Sequence, residues 1–554
     1  VDPFVILLAG TTIVVGGVLL LKLHAVLALA AAALAVLILT PTEVAVWQNR
    51  AQVAAQVVEV HDDTLVLVRP GRGSAARFKP GTRLFVVPSQ AYDEPPARRP
   101  DALGQLIVVP AADAGRSRAD GLRDCRWDRG PRPQPGDRVV ALRTIGDRLS
   151  AAFGTTCGQI GILIAMASII GQCLLASGAA DRIVRATLRL FGEARAALAF
   201  VLSGFLLGIP VFFDTVFYLM IPLGKALRLR SGRNYLLYVL SITAGATMAH
   251  SLVPPTPGPL FVAQQLRVDL GTMILGGCFV GLFTSALGYV YAQWANRRWE
   301  IPLRDEGSLS LAELQEISQT DVSQLPPLWL SLLPIVLPVG LIAGATLLDP
   351  DVTGVALPAD VQRAVDTLGN KDLAIGLAAA LALLTLVAYR RGGASVSKNV
   401  QLALASGGVI ILITSMGGAF GSALRDTGIG ESIADLLPAS ARLLVLVAAF
   451  AVTTLIRTAQ GSATVAMITA VGIFAPIVEK QPEMLGCHPV YLALAIGCGS
   501  KPFAWMNDSG FWVICKMSGM TEAETLKTLT PMTASMGFLG LGVTVLAAWL
   551  VPLV

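Results

Sequence analysis

The sequence predicts an all-α polytopic membrane protein: two inverted repeats with re-entrant hairpins and discontinuous helices, plus a small extracytoplasmic β-rich insert. Three observations predict it. The 554 residues are 54% hydrophobic and 14% charged, with a mean hydropathy of +0.66, whereas soluble domains carry roughly 25% charge. Each half of the chain twice breaks a membrane-length apolar stretch with Gly, Pro and polar residues. The breaks fall at Gly208 to Asp214 and His250 to Pro259, then at Arg457 to Thr464 and Lys501 to Phe511, with an offset of about 250 residues. Interrupted segments in corresponding places of two halves mark secondary transporters with a midplane site. Finally, Lys and Arg collect on the cytoplasmic side of a membrane, and the basic flanks orient the two halves oppositely.

Residues 1–41 read as the first two transmembrane helices, Val1 to Leu21 and Ala25 to Leu39, with no basic start of the kind that opens a cleavable signal. Residues 42–149 form the insert. Its apolar runs are short and β-branched (VVEV, TLVLV, RLFVV, QLIVV, RVVAL) and are bounded by turns such as Pro70-Gly71 and Pro135-Gly136, which argues for a small all-β domain. The alternative is a partly disordered loop, given the Arg/Pro-rich stretch from Asp113 to Pro135. Long loops translocate largely regardless of charge, so its arginines are compatible with an outer location.

The rest of the first repeat spans 150–304, a cytoplasmic linker 305–327, and the second repeat 328–554. Basic loops at Arg182 to Arg195 and Lys225 to Arg233 flank Ala196 to Leu223. A single crossing puts one of those loops outside; a hairpin turning at Ile209-Pro210 keeps both inside. The same reasoning makes Leu443 to Val478 a hairpin entering from the other side, with Val490 to Lys516 a broken crossing and Met532 to Leu553 the last helix. Gly171/Gly178 and Gly421/Gly428 recur at the same offset.

Non-helical backbone survives at membrane depth only where it lines a cavity or packs in protein. Freed helix N-termini suit an anion. The substrate-binding candidates are therefore Thr256, Gly258, Gly461, Ser462, Thr464, Asn507 and Arg457. Ser462 and Asp508 are also ordinary helix-cap residues. Arg457 and Lys501 each suit a substrate carboxylate or a buried acid partner. Asp214, Asp508 and His250 are the proton-coupling candidates, because intramembrane ionisable groups mark function and imidazole titrates near neutrality. The break-forming residues are Ile209, Pro210, Pro254, Pro255, Pro257, Pro259, Ser509 and Gly510.

Other classes fit poorly. An enzyme needs a nucleophile with a base or a ligand cluster, and His24, His61, His250 and His488 are scattered without metal spacing. There is no GxxxxGK[ST] loop, and seven separated cysteines without a CxxC pair read as packing residues. No cofactor or metal is expected. The net charge of +5 reads as membrane orientation rather than nucleic-acid binding. A channel needs a continuous polar path, and a sensor needs an output domain.

At these residues the chain resembles the gluconate permease family of proton symporters, within the ion-transporter superfamily. The matching stretches are GIPVFFDTVFYLMIPL (Gly208 to Leu223), HSLVPPTPGP (His250 to Pro259), IRTAQGSATVAMITAVGIFAP (Ile456 to Pro476) and NDSGFWVICKMSGMTEAETLKT (Asn507 to Thr528). The resemblance implies proton-driven uptake of gluconate or a related sugar acid across the bacterial inner membrane, with D-serine taken by some members. It also implies a homodimer in which a hairpin-bearing transport domain slides against a scaffold. Three positions depart from the family pattern: Thr256 for a histidine, Asp214 for a common glutamate, and Lys501 for an apolar residue. The insert is also outside that pattern.

Overall fold

A computed structural model of the chain describes residues 2–49, 53–61, 65–70, 83–87, 103–108, 123–129, 131–304, 324–350, 357–389, 395–429, 432, 443–480, 485–506 and 508–553. It opens with α1 (Pro3–Leu19), α2 (Ala25–Leu39) and the short α3 (Thr42–Gln48). The axis bends by 103° between α2 and α3. His24 caps α2 by accepting from the Val26 amide, so the Ala/Leu run begins where a polar side chain can close its first turn.

Six strands follow: β1 (Ala55–His61), β2 (Leu65–Pro70), β3 (Arg83–Val87), β4 (Gly104–Val108), β5 (Arg123–Arg129) and β6 (Arg138–Val140). They close into a barrel of order β1-β2-β5-β4-β3-β6, every described pair antiparallel. Alternate residues fill it, among them Val66 and Val68, Leu84 and Val86, Leu106 and Val108, and Cys125, as the two-residue period of a strand requires. β5 falls in the charged stretch read as the less ordered part. Its signal was weak but present: Cys125 is buried and Trp127 packs against the barrel core, while Arg126 and Asp128 are exposed. Val46 and Trp47 of α3 pack on the barrel with Phe85, Val87, Leu103 and Val140.

The helical body continues with α4 (Ile145–Ala176), α5 (Ala179–Phe191), α6 (Ala196–Gly208), α7 (Phe213–Ser231), α8 (Tyr235–Leu252), α9 (Pro257–Gln265) and α10 (Leu270–Arg298). Then come α11 (Leu328–Leu347), α12 (Ala359–Gly369), α13 (Lys371–Ala388), α14 (Val396–Arg425), α15 (Leu444–Gln460), α16 (Ala463–Lys480), α17 (Pro489–Gly499), α18 (Ser509–Ser518) and α19 (Glu522–Leu550). Among the described residues seven helices are long and apolar enough to cross a membrane, or up to nine if each bent pair is one span. Two begin earlier than their apolar runs suggest: α14 at Val396 rather than Val409, and α19 at Glu522 rather than Met532. The reason is local, since Ser395 caps α14 and a Thr521/Glu524 capping box starts α19. Most of the expected linker, 305–323, lies outside the described residues.

Helix ends meet at two levels. At one, Arg230 pairs with Glu193 (2.6 Å), Asn296 Nδ2 donates to Asn234 Oδ1 (3.0 Å), the Tyr235 hydroxyl donates to the Ser518 carbonyl (2.7 Å), and Arg304 forks onto Glu524 (2.7 Å each). The α6–α7 pair thus returns to the level at which it starts. At the other, Thr346 donates to Asp269 (2.7 Å), Arg425 to Gln265 (2.9 Å), the His488 amide to the Pro552 carbonyl (2.8 Å), and Arg148 pairs with Asp426. Asn49 also donates to Asp426 (2.8 Å), tying the segment before the barrel to the body.

Close helix crossings rest on glycines. A Cβ at Gly245 would lie 2.1 Å from the Val201 carbonyl oxygen, and one at Gly499 would lie 2.6 Å from that of Phe450. A Cβ at Gly288 would meet Met536 Sδ at 2.8 Å, and one at Gly540 would meet Thr284 Cγ2 at 3.1 Å. Backbones approach this closely only where the side chain is absent.

Candidate functional site

α15 ends at Gly461, whose φ of 87° belongs to the left-handed region that glycine enters freely. Only Ser462 separates it from α16, and the two helices pack on each other. Ser462 caps α16: its hydroxyl accepts from the Val465 amide (3.3 Å). Across from this turn, α17 stops at Ser500 and α18 starts after Asp508, whose Oδ1 accepts from the Gly510 amide (2.9 Å). Polar contacts pin the intervening loop. Trp505 Nε1 donates to the Thr458 carbonyl (2.9 Å), and Trp512 Nε1 to that of Met506 (2.6 Å).

Arg457 locks these breaks together. It is 4% exposed; its Nε donates to the Ser500 carbonyl (3.0 Å), Nη1 to the Gly461 carbonyl and Nη2 to Asp508. The two carbonyls end α15 and α17, and the carboxylate begins α18. One planar guanidinium therefore holds two negative helix ends and a cap at once. Of its two expected roles, the structure places Arg457 on a buried acid.

A cavity of about 580 Å³ opens beside this lock, within the range of small-molecule sites. The first turns of three helices line it: Phe213, Asp214 and Thr215 of α7, Ala463 and Thr464 of α16, and Ser509 and Gly510 of α18. Among the described residues, no side chain caps α7. Thr243, Thr247 and His250 of α8 add a polar stripe, and Ser406, Thr533 and Lys501 complete the polar wall. Among the described residues, His250 Nδ1 is buried without a hydrogen-bond partner, and its ring stands edge-on to Phe212. Lys501 is 7% exposed and donates to the Thr247 hydroxyl (3.2 Å). Among the described residues, no three His, Cys, Asp or Glu side chains are placed to hold a metal ion.

Of the residues singled out from the sequence, Asp214, His250, Arg457, Gly461, Ser462, Thr464, Asp508, Ser509 and Gly510 line the cavity together. Thr256 and Gly258 lie elsewhere. The Thr256 hydroxyl is turned onto the Val253 carbonyl (2.6 Å), and a Cβ at Gly258 would strike Met467 Cε at 2.0 Å, so this glycine makes room for α16. Ile209, Pro210, Pro254 and Pro255 meet Pro334 and Pro338 of α11 around a small apolar crevice. Pro257 and Pro259 are buried in the first turn of α9. Asn507 lies outside the described residues. Thr243 and Thr247 were missed by sequence reasoning, although they share one helix face with the His250 it singled out.

Comparison with known proteins agrees with this architecture. Residues 139–551 match the family model described as GntP family permease. An uncharacterized permease of Haemophilus influenzae is 33% identical, covering 71% of this chain and 81% of its own length. A gluconate permease of Pseudomonas aeruginosa is 34% identical (70% and 84%), and a low-affinity gluconate transporter of Escherichia coli 31% (72% and 87%). In three dimensions the chain is similar to the crystal structure of the Alcanivorax borkumensis YdaH transporter, with a TM-score of 0.50 and 16% identity over 75% of this chain and 92% of that one, which speaks to the fold alone. The cavity thus sits in a multi-helix membrane protein matched over most of its helical body, and the chain belongs to the GntP permease family.

Proposed function

We propose that this permease takes up a small organic anion, a sugar acid such as gluconate, by proton-coupled symport and alternating access. The observation that carries the reading is the convergence of three helix N-terminal turns and a buried lysine on one cavity. Those amides and that ammonium suit a carboxylate whose polyol tail meets hydroxyls. The relatives named for gluconate transport support the substrate class, and a relative named an L-idonate transporter, 30% identical, widens it to sugar acids.

In this reading α1 and α2 with α4–α10 form one repeat and α11–α19 the other, inverted. Equivalent contacts support it: Gly245 on Val201 corresponds to Gly499 on Phe450, and Gly288 on Met536 to Gly540 on Thr284. The last pair is reciprocal, as a twofold relation between α10 and α19 requires. Ser177 and Thr427, 250 residues apart, make the same turn, accepting from the Ala179 and Ile429 amides (3.3 and 3.2 Å). The α6–α7 and α15–α16 pairs are the re-entrant hairpins, entering from opposite faces of the inner membrane. The barrel lies on the extracytoplasmic face, and the protein works as a homodimer. Asp214, at the open start of α7, carries the coupled proton.

The test is substrate-driven proton entry. Gluconate added to proteoliposomes that hold a luminal pH dye should acidify the lumen. Gluconate uptake with no luminal pH change would refute symport.

A further inference from the structure

We propose that Lys501 is a second anion-holding point of the cavity and fits it to a sugar acid with a carboxylate at each end. This rests on the sugar-acid reading above and narrows it. Lys501 is 7% exposed, lines the cavity, and spends its described hydrogen bond on a neutral hydroxyl, Thr247 Oγ1 at 3.2 Å. Among the described residues no carboxylate stands within 4.0 Å of its ammonium.

A buried intramembrane cation without an acid is costly and marks a ligand or ion path. Arg457 is already committed, its three nitrogens donating to the Ser500 and Gly461 carbonyls and to Asp508, whose carboxylate balances its charge. The first turns of α16 and α18, with Thr464 and Ser509, already offer amides and hydroxyls to one carboxylate. The Lys501 ammonium is spent instead on Thr247. It reaches α8, where His250 Nδ1 is buried and unpartnered among the described residues. A ligand group placed beside Lys501 meets an ammonium, which favours a carboxylate over the terminal hydroxyl of a monoacid.

The experiment is competition against labelled D-gluconate uptake in proteoliposomes of the full chain. The competitors are unlabelled D-gluconate and D-glucarate, which differ only at the sixth carbon. Glucarate should inhibit at a concentration lower by at least about tenfold, the effect of one well-placed charge pair. Lys501→Met should bring the ratio to about one or below, and Lys501→Arg should preserve it. Removing a buried charge that has no carboxylate within 4.0 Å among the described residues should leave the thermal midpoint of the empty protein unchanged or raised; should Lys501→Met aggregate, Lys501→Gln gives the same ratio. Equal inhibition by the two acids in the wild type, or an unchanged ratio in Lys501→Met, would overturn the proposal while leaving gluconate uptake in place. Transport of neither acid by folded wild-type protein would overturn the sugar-acid reading itself.

Discussion

Arg457 and Asp508, 51 residues apart in sequence, form an ion pair, the guanidinium buried and the carboxylate half-buried, that joins the end of one broken helix to the start of another. Around it the chain ends α15 and α17 and begins α16 and α18. The pair therefore sets the shape of the cavity wall rather than offering a free charge to the ligand.

Breaking one partner of a buried pair costs about 3–5 kcal/mol. Arg457→Ala and Asp508→Asn should each lower uptake by at least about a hundredfold and shift the thermal midpoint downwards. Arg457→Lys should fail to rescue, because an ammonium cannot reach Ser500, Gly461 and Asp508 in one plane. Transport assays beside thermal unfolding of the purified variants decide this; wild-type uptake in Arg457→Lys would show that the fork geometry is dispensable.

Asp214→Asn should abolish accumulation driven by a pH gradient yet preserve exchange of labelled for unlabelled substrate. Neutralising the carboxylate removes the proton site without filling the cavity. Measuring counterflow and gradient-driven uptake on the same preparation separates the two. Intact pH-driven accumulation would move coupling to another group.

Gly245→Ala places a methyl 2.1 Å from the Val201 carbonyl oxygen, and Gly499→Ala places one 2.6 Å from that of Phe450. Each should destabilise by about 1–3 kcal/mol, read as lost monodisperse yield and a lowered thermal midpoint. Gly344→Ala, with nothing within 4 Å, is the control and should behave as wild type.

Among the described residues, the barrel contributes none to the cavity. Replacing Ala54 to Ala141 by a Gly/Ser linker should leave the apparent affinity for substrate unchanged while lowering thermal stability, since α3 loses its packing on Phe85, Val87 and Val140. A changed substrate preference in that variant would give the barrel a part in recognition.

The breaks were legible in the sequence because Gly, Pro and polar residues inside apolar stretches conflict with continuous helix. Gly461, Ser462, Thr464 and Asp508 come together around one cavity for that reason. The proline cluster was less informative. It marks where α8 and α9 separate, but the Thr256 hydroxyl satisfies a carbonyl three residues back and Gly258 serves packing, neither of which leaves a pattern in one sequence. β5 was obscured because Arg126 and Asp128 face solvent while Cys125 and Trp127, between and beside them, turn towards the barrel core. Lys501 stood out as an intramembrane charge, yet the engagement of Arg457 elsewhere is what gives it a role, and only the three-dimensional arrangement shows that.

The most direct test of the account is accumulation of labelled D-gluconate in proteoliposomes under an imposed inward proton gradient, with and without a protonophore. The account predicts concentrative uptake that collapses when the protonophore is added. Uptake that merely equilibrates, or that is indifferent to the protonophore, would contradict proton-coupled symport by this cavity.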